Sequence, residues 1–435
     1  MERFRAFLRI PSVSATGPRD GSYAAAAAWL ERACAERVPP LRVRRVGGAA
    51  KPVLIATWRG SSSADGGGGG GSGGGGGAAA APLPGLLFNA HYDVVPAEGA
   101  RWRCDPFAAV RTADGRVYAR GAQDMKCVCV QYLEALARLH ARGWAPRRTV
   151  HLTFVPDEEV GGADGMMLLV TTPEWRAMQP LALALDEGLA NPDNAFTVFY
   201  GERACWWVLV RATGPGAAEA VVRVCTRALE YRAQQRALLG GGGCAHAAAK
   251  KLGDVATVNL TMLRSNGGGS SATGGAGHGG AAASSSGGGS GAERTLPVPD
   301  AAEAGFDVRV PLGVDPADMR ALLDAWCAEG ARSSSGGGAD TVQEHHVTST
   351  DRAANRLWGV FVDALSAFDA PVVPEVFPAG TDSWVLRRLG VPALGFSPMR
   401  RTPVLLHEHD EWLGERAFME GIDVYEALFQ ALSAA

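Results

Sequence analysis

The chain has 435 residues, 47% of them hydrophobic and 20% charged, with a formal net charge of −3. That length exceeds one ordinary core and predicts two domains. No basic block or stripe stands out, which argues against a nucleic-acid partner, and no apolar run approaches the length of a membrane span.

Residues 1–8 lack the apolar core of a signal peptide and read as a first helix. Eight cysteines are scattered without a Cys-x-x-Cys pair, which fits thiols in a reducing compartment better than a disulfide framework. A cytoplasmic protein is the expectation. Glycine accounts for 57 residues, concentrated in Gly/Ser/Ala tracts at 61–81, 240–249, 265–292 and 333–339. Such tracts bury too little apolar surface to offset chain entropy and read as disordered inserts.

In chain order, Leu86-Leu87-Phe88 reads as a short buried strand running into His91-Tyr92-Asp93. Met125, Val128, Tyr132, Leu136 and Leu139 fall at helical spacing and predict a helix over 125–141. Residues 149–155 read as a strand, with Val150, Leu152 and Phe154 on one face and Pro156-Asp157-Glu158-Glu159 at its end. Another apolar run, 181–185, ends at Asp186-Glu187. The middle third differs: strands over 196–210, 255–263 and 306–310 and a helix over 217–239 describe a small α+β domain. A last strand lies at 393–396. Repeated strand–helix alternation predicts an α/β fold, with polar ligand groups beyond the carboxyl ends of the strands. The predicted organisation is a main domain in two parts, 1–196 and 314–435, with a smaller domain, 197–313, inserted between them.

Four segments carry the chemistry: His91-Tyr92-Asp93, Gly121-Ala122-Gln123-Asp124, Asp157-Glu158-Glu159 and Leu406-His407-Glu408-His409-Asp410-Glu411. Zinc takes nitrogen and oxygen from His, Asp and Glu, and a catalytic site keeps a position open for water. Two metals ~3.5–4 Å apart can clamp a water and a carbonyl oxygen together. Such a pair needs a bridging carboxylate, for which Asp124 is the candidate. His91 and Glu187 would complete one ion, and Glu159 and His407 the other. Glu158, beside a ligand, is the candidate general base, and Asp93 could orient the His91 ring by accepting its second N–H. Taken singly, each has a plainer reading. Asp124 can cap the following helix, Glu158 and Glu159 can be a solvated loop pair, and His407 and His409 can lie in a surface turn. The other histidines, His140, His151, His246, His278, His345 and His346, are assigned to surface, core or insert.

The stretch from Trp102 to Trp207 resembles the N-acyl-amino-acid amidohydrolases. These belong to the zinc exopeptidase family that also holds carboxypeptidase G, acetylornithine deacetylase and succinyl-diaminopimelate desuccinylase. The resemblance is carried by Tyr118-Ala119-Arg120-Gly121-Ala122-Gln123-Asp124-Met125-Lys126-Cys127, by Thr153 to Gly162 and by Ala184 to Pro192. It resumes from Pro378 to His409 through Gly390-Val391-Pro392-Ala393-Leu394-Gly395-Phe396. It implies a mixed-sheet α/β catalytic domain with an inserted α+β lid, which usually forms a homodimer. Two zinc ions per subunit are implied at His91, Asp124, Glu159, Glu187 and His407, with Glu158 as general base and Asp93 orienting His91. The implied reaction is hydrolysis of a small N-acyl-L-amino acid, with related dipeptidase or carboxypeptidase activity as the alternative. Arg309 matches a family position near the substrate carboxylate, where a guanidinium fork suits the task, although an exposed strand residue is an equal reading. Thr381 and Asp382 match a substrate-side loop.

The sequence departs from the family in the lid. Where the family carries Pro-Gly-His, this chain reads Pro215-Gly216-Ala217. An Asn expected before Val-Ile-Pro is replaced by the run Leu296-Pro297-Val298-Pro299. The family His helps bind the developing oxyanion, so weakened hydrolysis, or a metal-binding relative without catalysis, follows from its loss.

Overall fold

A computed structural model describes residues 1–62, 81–240, 250–266, 299–328, 331–335 and 343–435. The glycine-rich inserts, apart from their ends, and Leu296-Pro297-Val298 lie outside the described residues, as do His246 and His278. The chain divides into two compact units, Met1–Glu202 with His346–Ala435, and Arg203–His345.

The first unit is built on an eight-stranded mixed sheet. Its order is Arg42–Val46, Val53–Trp58, Val150–Val155, Gly85–His91, Leu181–Asp186, Ala393–Gly395, Phe196–Glu202 and Val372–Phe377. The four strands from Val150–Val155 to Ala393–Gly395 run parallel. Parallel strands are covered on both faces, and Val150–Val155 is buried at every position. Side chains alternate between two cores. Val150, Leu152, Phe154, Leu86 and Phe88 pack with the helices Glu2–Leu8, Ser22–Arg37, Lys126–Ala141 and Glu415–Ala434. Val155, Leu87 and Ala184 pack instead with Met166, Trp175 and Leu386 on the other face. The predicted helix over 125–141 is observed at Lys126–Ala141.

The second unit is a four-stranded antiparallel sheet, ordered Thr257–Ser265, Ala301–Val310, Ala204–Thr213 and Arg332–Ser335. Strict alternation along Ala301–Val310 buries Ala302, Ala304, Phe306, Val308 and Val310 among Val221 and Val224 of the helix Ala217–Ala237 and Met319 and Leu323 of Pro316–Cys327. The run 196–210, expected as one strand, breaks at Arg203 into strands of two different sheets. The cause is a pair of neighbouring buried charges tied in opposite directions. Glu202 accepts from Thr381 and Arg387 in the first unit, whereas Arg203 donates to the Val255 carbonyl and Thr257 in the second.

His151, read as surface, core or insert, lies in the central sheet at 6% exposure, with Nδ1 2.9 Å from the Thr57 hydroxyl. Burial pushes its imidazole down to about 4. The unfolded chain therefore takes up this proton first as pH falls. Stability from the neutral ring is complete above about 6.5 and is lost down to about 4. In urea titrations at successive pH values, the chain should lose of order 3 kcal/mol more than a His151→Gln variant between those limits. Parallel pH profiles would show that the ring titrates normally.

Candidate metal centre

Because the strands Val150–Val155, Gly85–His91 and Leu181–Asp186 are parallel neighbours, their carboxyl ends bring together residues far apart in sequence. His91 is the last residue of its strand, Glu187 follows directly after its own, and Glu158–Glu159 lie just beyond Val150–Val155, past Pro156-Asp157. His91 Nε2 lies 3.0 Å from Asp124 Oδ1 and 3.2 Å from Glu187 Oε2. His407 Nε2 lies 3.0 Å from Asp124 Oδ2 and 3.0 Å from Glu159 Oε2. Asp124 thus gives one oxygen to each side. The two triads, His91-Asp124-Glu187 and Asp124-Glu159-His407, each hold their donor atoms within 4.8 Å of one another. The helix-capping reading of Asp124 does not describe it, since Met125 is the N-cap residue.

The charges of this cluster do not balance by themselves. Burial, followed by the negative charge of Glu187, holds the Glu158 carboxyl well above its usual range. Burial and Asp124 do the same to Glu187 and raise Glu159. Burial works against a charged His407, but hydrogen bonds to Asp124 and Glu159 carry its pKa up to about 10. Burial likewise opposes ionisation of Asp124, yet its contacts with His407 and His91 hold it below the ordinary value. Glu159 Oε1 is buried with no hydrogen-bond partner. A concentration of carboxylate oxygens around two imidazole nitrogens, with one oxygen orphaned, is the donor set of hard-to-borderline divalent cations.

The supporting residues explain how so much negative charge is held in place. Asp93 Oδ1 is 3.6 Å from His91 Nδ1, while the Asp93 backbone carbonyl is closer, at 2.9 Å. The Asp93 carboxylate also accepts the backbone N–H groups of Glu158 and Glu159, each at 3.3 Å. It ties the His91 loop to the Glu158–Glu159 turn. That turn begins at Asp157, a non-glycine residue at φ 62°, whose carboxylate is held by Tyr23 Oη and Lys51 Nζ. His407 is also left-handed, at φ 61°, a conformation that surrounding structure must enforce.

Two supports have roles that no motif announces, although Glu411 ends the segment that carries His407. Glu411 is fully buried and pairs with Arg120 at 2.8 Å. It also accepts backbone N–H groups from Gly121, Gln123 and Asp124 at 3.0, 2.6 and 3.4 Å, fixing the loop that presents Asp124. Asn89 donates to Asp186 at 2.9 Å and Asp382 at 3.0 Å and accepts from Thr153 at 2.7 Å. Its position two residues before His91, hence on the same strand face, was the available signal.

The candidate substrate residues have other partners. Thr381 spends its N–H and its hydroxyl on Glu202, at 2.9 and 2.8 Å. Asp382 is buried against Asn89. Arg309 belongs to the second unit, where it pairs with Asp307 at 2.9 Å and donates to Cys205 Sγ. Gly214 and Gly216 adopt φ 88° and 81° around Pro215, and the helix Ala217–Ala237 starts at once. Among the described residues of this unit the one histidine is His345, whose Nε2 faces the Val310 carbonyl at 3.2 Å.

Fold and site together define a metal-dependent hydrolase. Residues 87–431 match the model of peptidase family M20/M25/M40, and the chain belongs to that family. It is 42% identical over 361 residues to Aminoacylase-1 of Mus musculus, covering 81% of this chain and 80% of the mouse protein. It is 39% identical over 441 residues to Aminoacylase-1 of Homo sapiens, covering 99% and 94%. Among solved structures, the M20 family metallo-carboxypeptidase Sso-CP2 of Sulfolobus solfataricus aligns with a TM-score of 0.67 at 16% identity, covering 99% of this chain and 98% of that one. A Bacillus subtilis protein described as a dinuclear metal-binding peptidase of the M20 family aligns with a TM-score of 0.63 at 14% identity, covering 100% and 97%.

If Glu411 fixes the Asp124 loop, Glu411→Gln should weaken divalent-metal binding about 10–100-fold, the usual cost of losing such an outer partner. Competition against a chromophoric chelator measures this, and an unchanged affinity would remove Glu411 from the account.

Proposed function

We propose that the chain is an aminoacylase, hydrolysing N-acyl-L-amino acids to a carboxylate and a free L-amino acid with two zinc ions bound per subunit. The observation that carries this reading is Asp124, with its two oxygens set against two separate His–Glu pairs in a chain 39–42% identical to Aminoacylase-1 relatives. His91 and Glu187 would hold one ion, His407 and Glu159 the other, and Asp124 both. Bound there, zinc supplies a Lewis acid for the scissile carbonyl and acidifies water.

The chain's own groups then do the following. Glu158 lies among the ligands and is assigned to none of the ion sites. Its carboxylate takes a proton from the attacking water as the new C–O bond forms. The same carboxyl returns that proton to the amine nitrogen as the C–N bond breaks, so a neutral amine leaves. Burial of Asp93, Asp124 and Glu187 lowers the local dielectric and strengthens each of these contacts. Asp93 keeps Glu158 in position through its backbone N–H.

A second reading, a metal-binding relative with weakened turnover, is favoured by one observation: the turn at Pro215-Gly216 leads straight into a helix at Ala217 with no histidine. We also read the chain as a cytoplasmic homodimer joined through its inserted unit. What supports it is the resemblance to a family whose inserted unit usually forms a homodimer, together with an exposed tryptophan, Trp207, on the sheet face of that unit turned away from its helices. No helix among the described residues is long and apolar enough to cross a membrane.

The test is hydrolysis of N-acetyl-L-methionine by the zinc-loaded chain, with zinc counted on the same sample. Glu158→Gln should lower kcat by at least about 10²–10⁴-fold while about two zincs per chain remain. Undiminished turnover in that variant would sink the mechanism. Two zincs without turnover in the unmodified chain would favour the second reading. Faster cleavage of simple dipeptides than of the acyl substrate would replace aminoacylase with dipeptidase.

A further inference from the structure

The metal ligands occupy the carboxyl ends of the parallel strands, and a second feature lies at their amino ends. Pro84, Arg148 and Pro392 immediately precede, or nearly precede, the strands Gly85–His91, Val150–Val155 and Ala393–Gly395. Together with residues 347–349 and 354–357 they line a groove of about 460 Å³. Strands of six or seven residues separate it from the metal ligands by ~20 Å.

The groove's charge is one-sided. Three arginines line it and no Asp or Glu does. Arg387 is neutralised by Glu202 at 2.9 Å. Arg148 is only 7% exposed. Its Nη1 donates to the Pro84 carbonyl at 2.8 Å, but its buried Nε–H meets no acceptor. Among the described residues no carboxylate pairs with Arg148 or with Arg356. Burial, then the positive charges of Arg147 and Arg356, lowers the Arg148 pKa, consistent with like charges facing one another. A buried donor without an acceptor is unfavourable, and an anion in the groove beside the guanidinium would offset the unpaired positive charge. The helix Arg356–Ser366 begins in the groove wall, and a helix N-terminus favours negative charge. Val347 and Leu357 and the ring of Pro392 add apolar wall beside the cations.

We propose that this groove binds the oxyanion of a small ligand, a carboxylate or a phosphate, between Arg148 and Arg356. The ligand's body lies against the apolar wall. The site is separate from the hydrolytic centre and does not rest on the reading given for that centre.

The experiment is isothermal titration of the full zinc-loaded chain with inorganic phosphate and, separately, with octanoate. Saturable binding of at least one is expected, weakened about tenfold or more by Arg356→Ala and by Arg148→Met, as loss of a charge-assisted bond predicts. Arg356 is exposed, so its variant tests the site even if Arg148→Met fails to fold. The same arginine-dependent binding should persist in His407→Ala, which separates it from the metal centre. Tighter binding of octanoate than of phosphate identifies an amphipathic carboxylate, and the reverse identifies a phosphate-bearing ligand. No binding of either probe, or binding that survives Arg356→Ala at full strength, overturns the proposal.

Discussion

Asp124 cannot serve two imidazoles unless its carboxylate is held between them, and most of the first unit can be understood as the means of holding it. Its side chain belongs to a loop, a poor platform for sub-ångström placement. Glu411 removes that freedom by accepting three backbone donors of the loop, from Gly121, Gln123 and Asp124, while paired with Arg120. A buried ion pair of this kind adds little net stability, because desolvation offsets the attraction. Its contribution is geometric: removing either partner would leave a buried charge and release the loop.

The parallel sheet supplies the other half of the constraint. Adjacent strands 4.7–4.9 Å apart place residues at equivalent ends within ligand distance. His91, Glu158–Glu159 and Glu187 therefore converge although nearly a hundred residues separate the first from the last. Convergence creates an electrostatic problem. The carboxyls of Glu158, Glu159 and Glu187 are all driven upward, first by burial and then by one another or by Asp124. Two imidazoles cannot offset that charge, whereas divalent cations can. The left-handed backbone at Asp157 and His407 is a further cost accepted at the site and covered elsewhere by packing.

Much of this was legible in the sequence because the first-rank ligands sit in short motifs at strand ends, where an apolar run followed by acidic residues marks both the strand and its polar terminus. The helix after Asp124 was readable from its spacing to within one residue. What sequence could not supply was partnership at a distance. Nothing local says that the Asp93 carboxylate would also reach the turn at Glu158 while the Asp93 backbone carbonyl faces the His91 ring. Nothing local pairs Glu411 with residues 120–124, nearly three hundred positions earlier. The break at Arg203 was invisible for the opposite reason. The run 196–210 contains no proline, Gly201 alone does not mark a boundary, and only the opposed anchoring of Glu202 and Arg203 divides it.

The departure at Pro215-Gly216-Ala217 is best weighed by magnitude. Losing one donor to a developing oxyanion costs about 10²–10³ in turnover, or roughly 3–4 kcal/mol, whereas enzymes lower barriers by about 8–23 kcal/mol in all. The residues offered for the metals and for proton transfer belong to the first unit, and the substitution leaves every one of them in place. A chain so altered retains the larger part of its catalytic machinery. On the proposed reading, the deficit would fall on stabilisation of the transition state and not on metal binding. For that reason zinc content and turnover, measured together, separate a slowed enzyme from a protein that only binds.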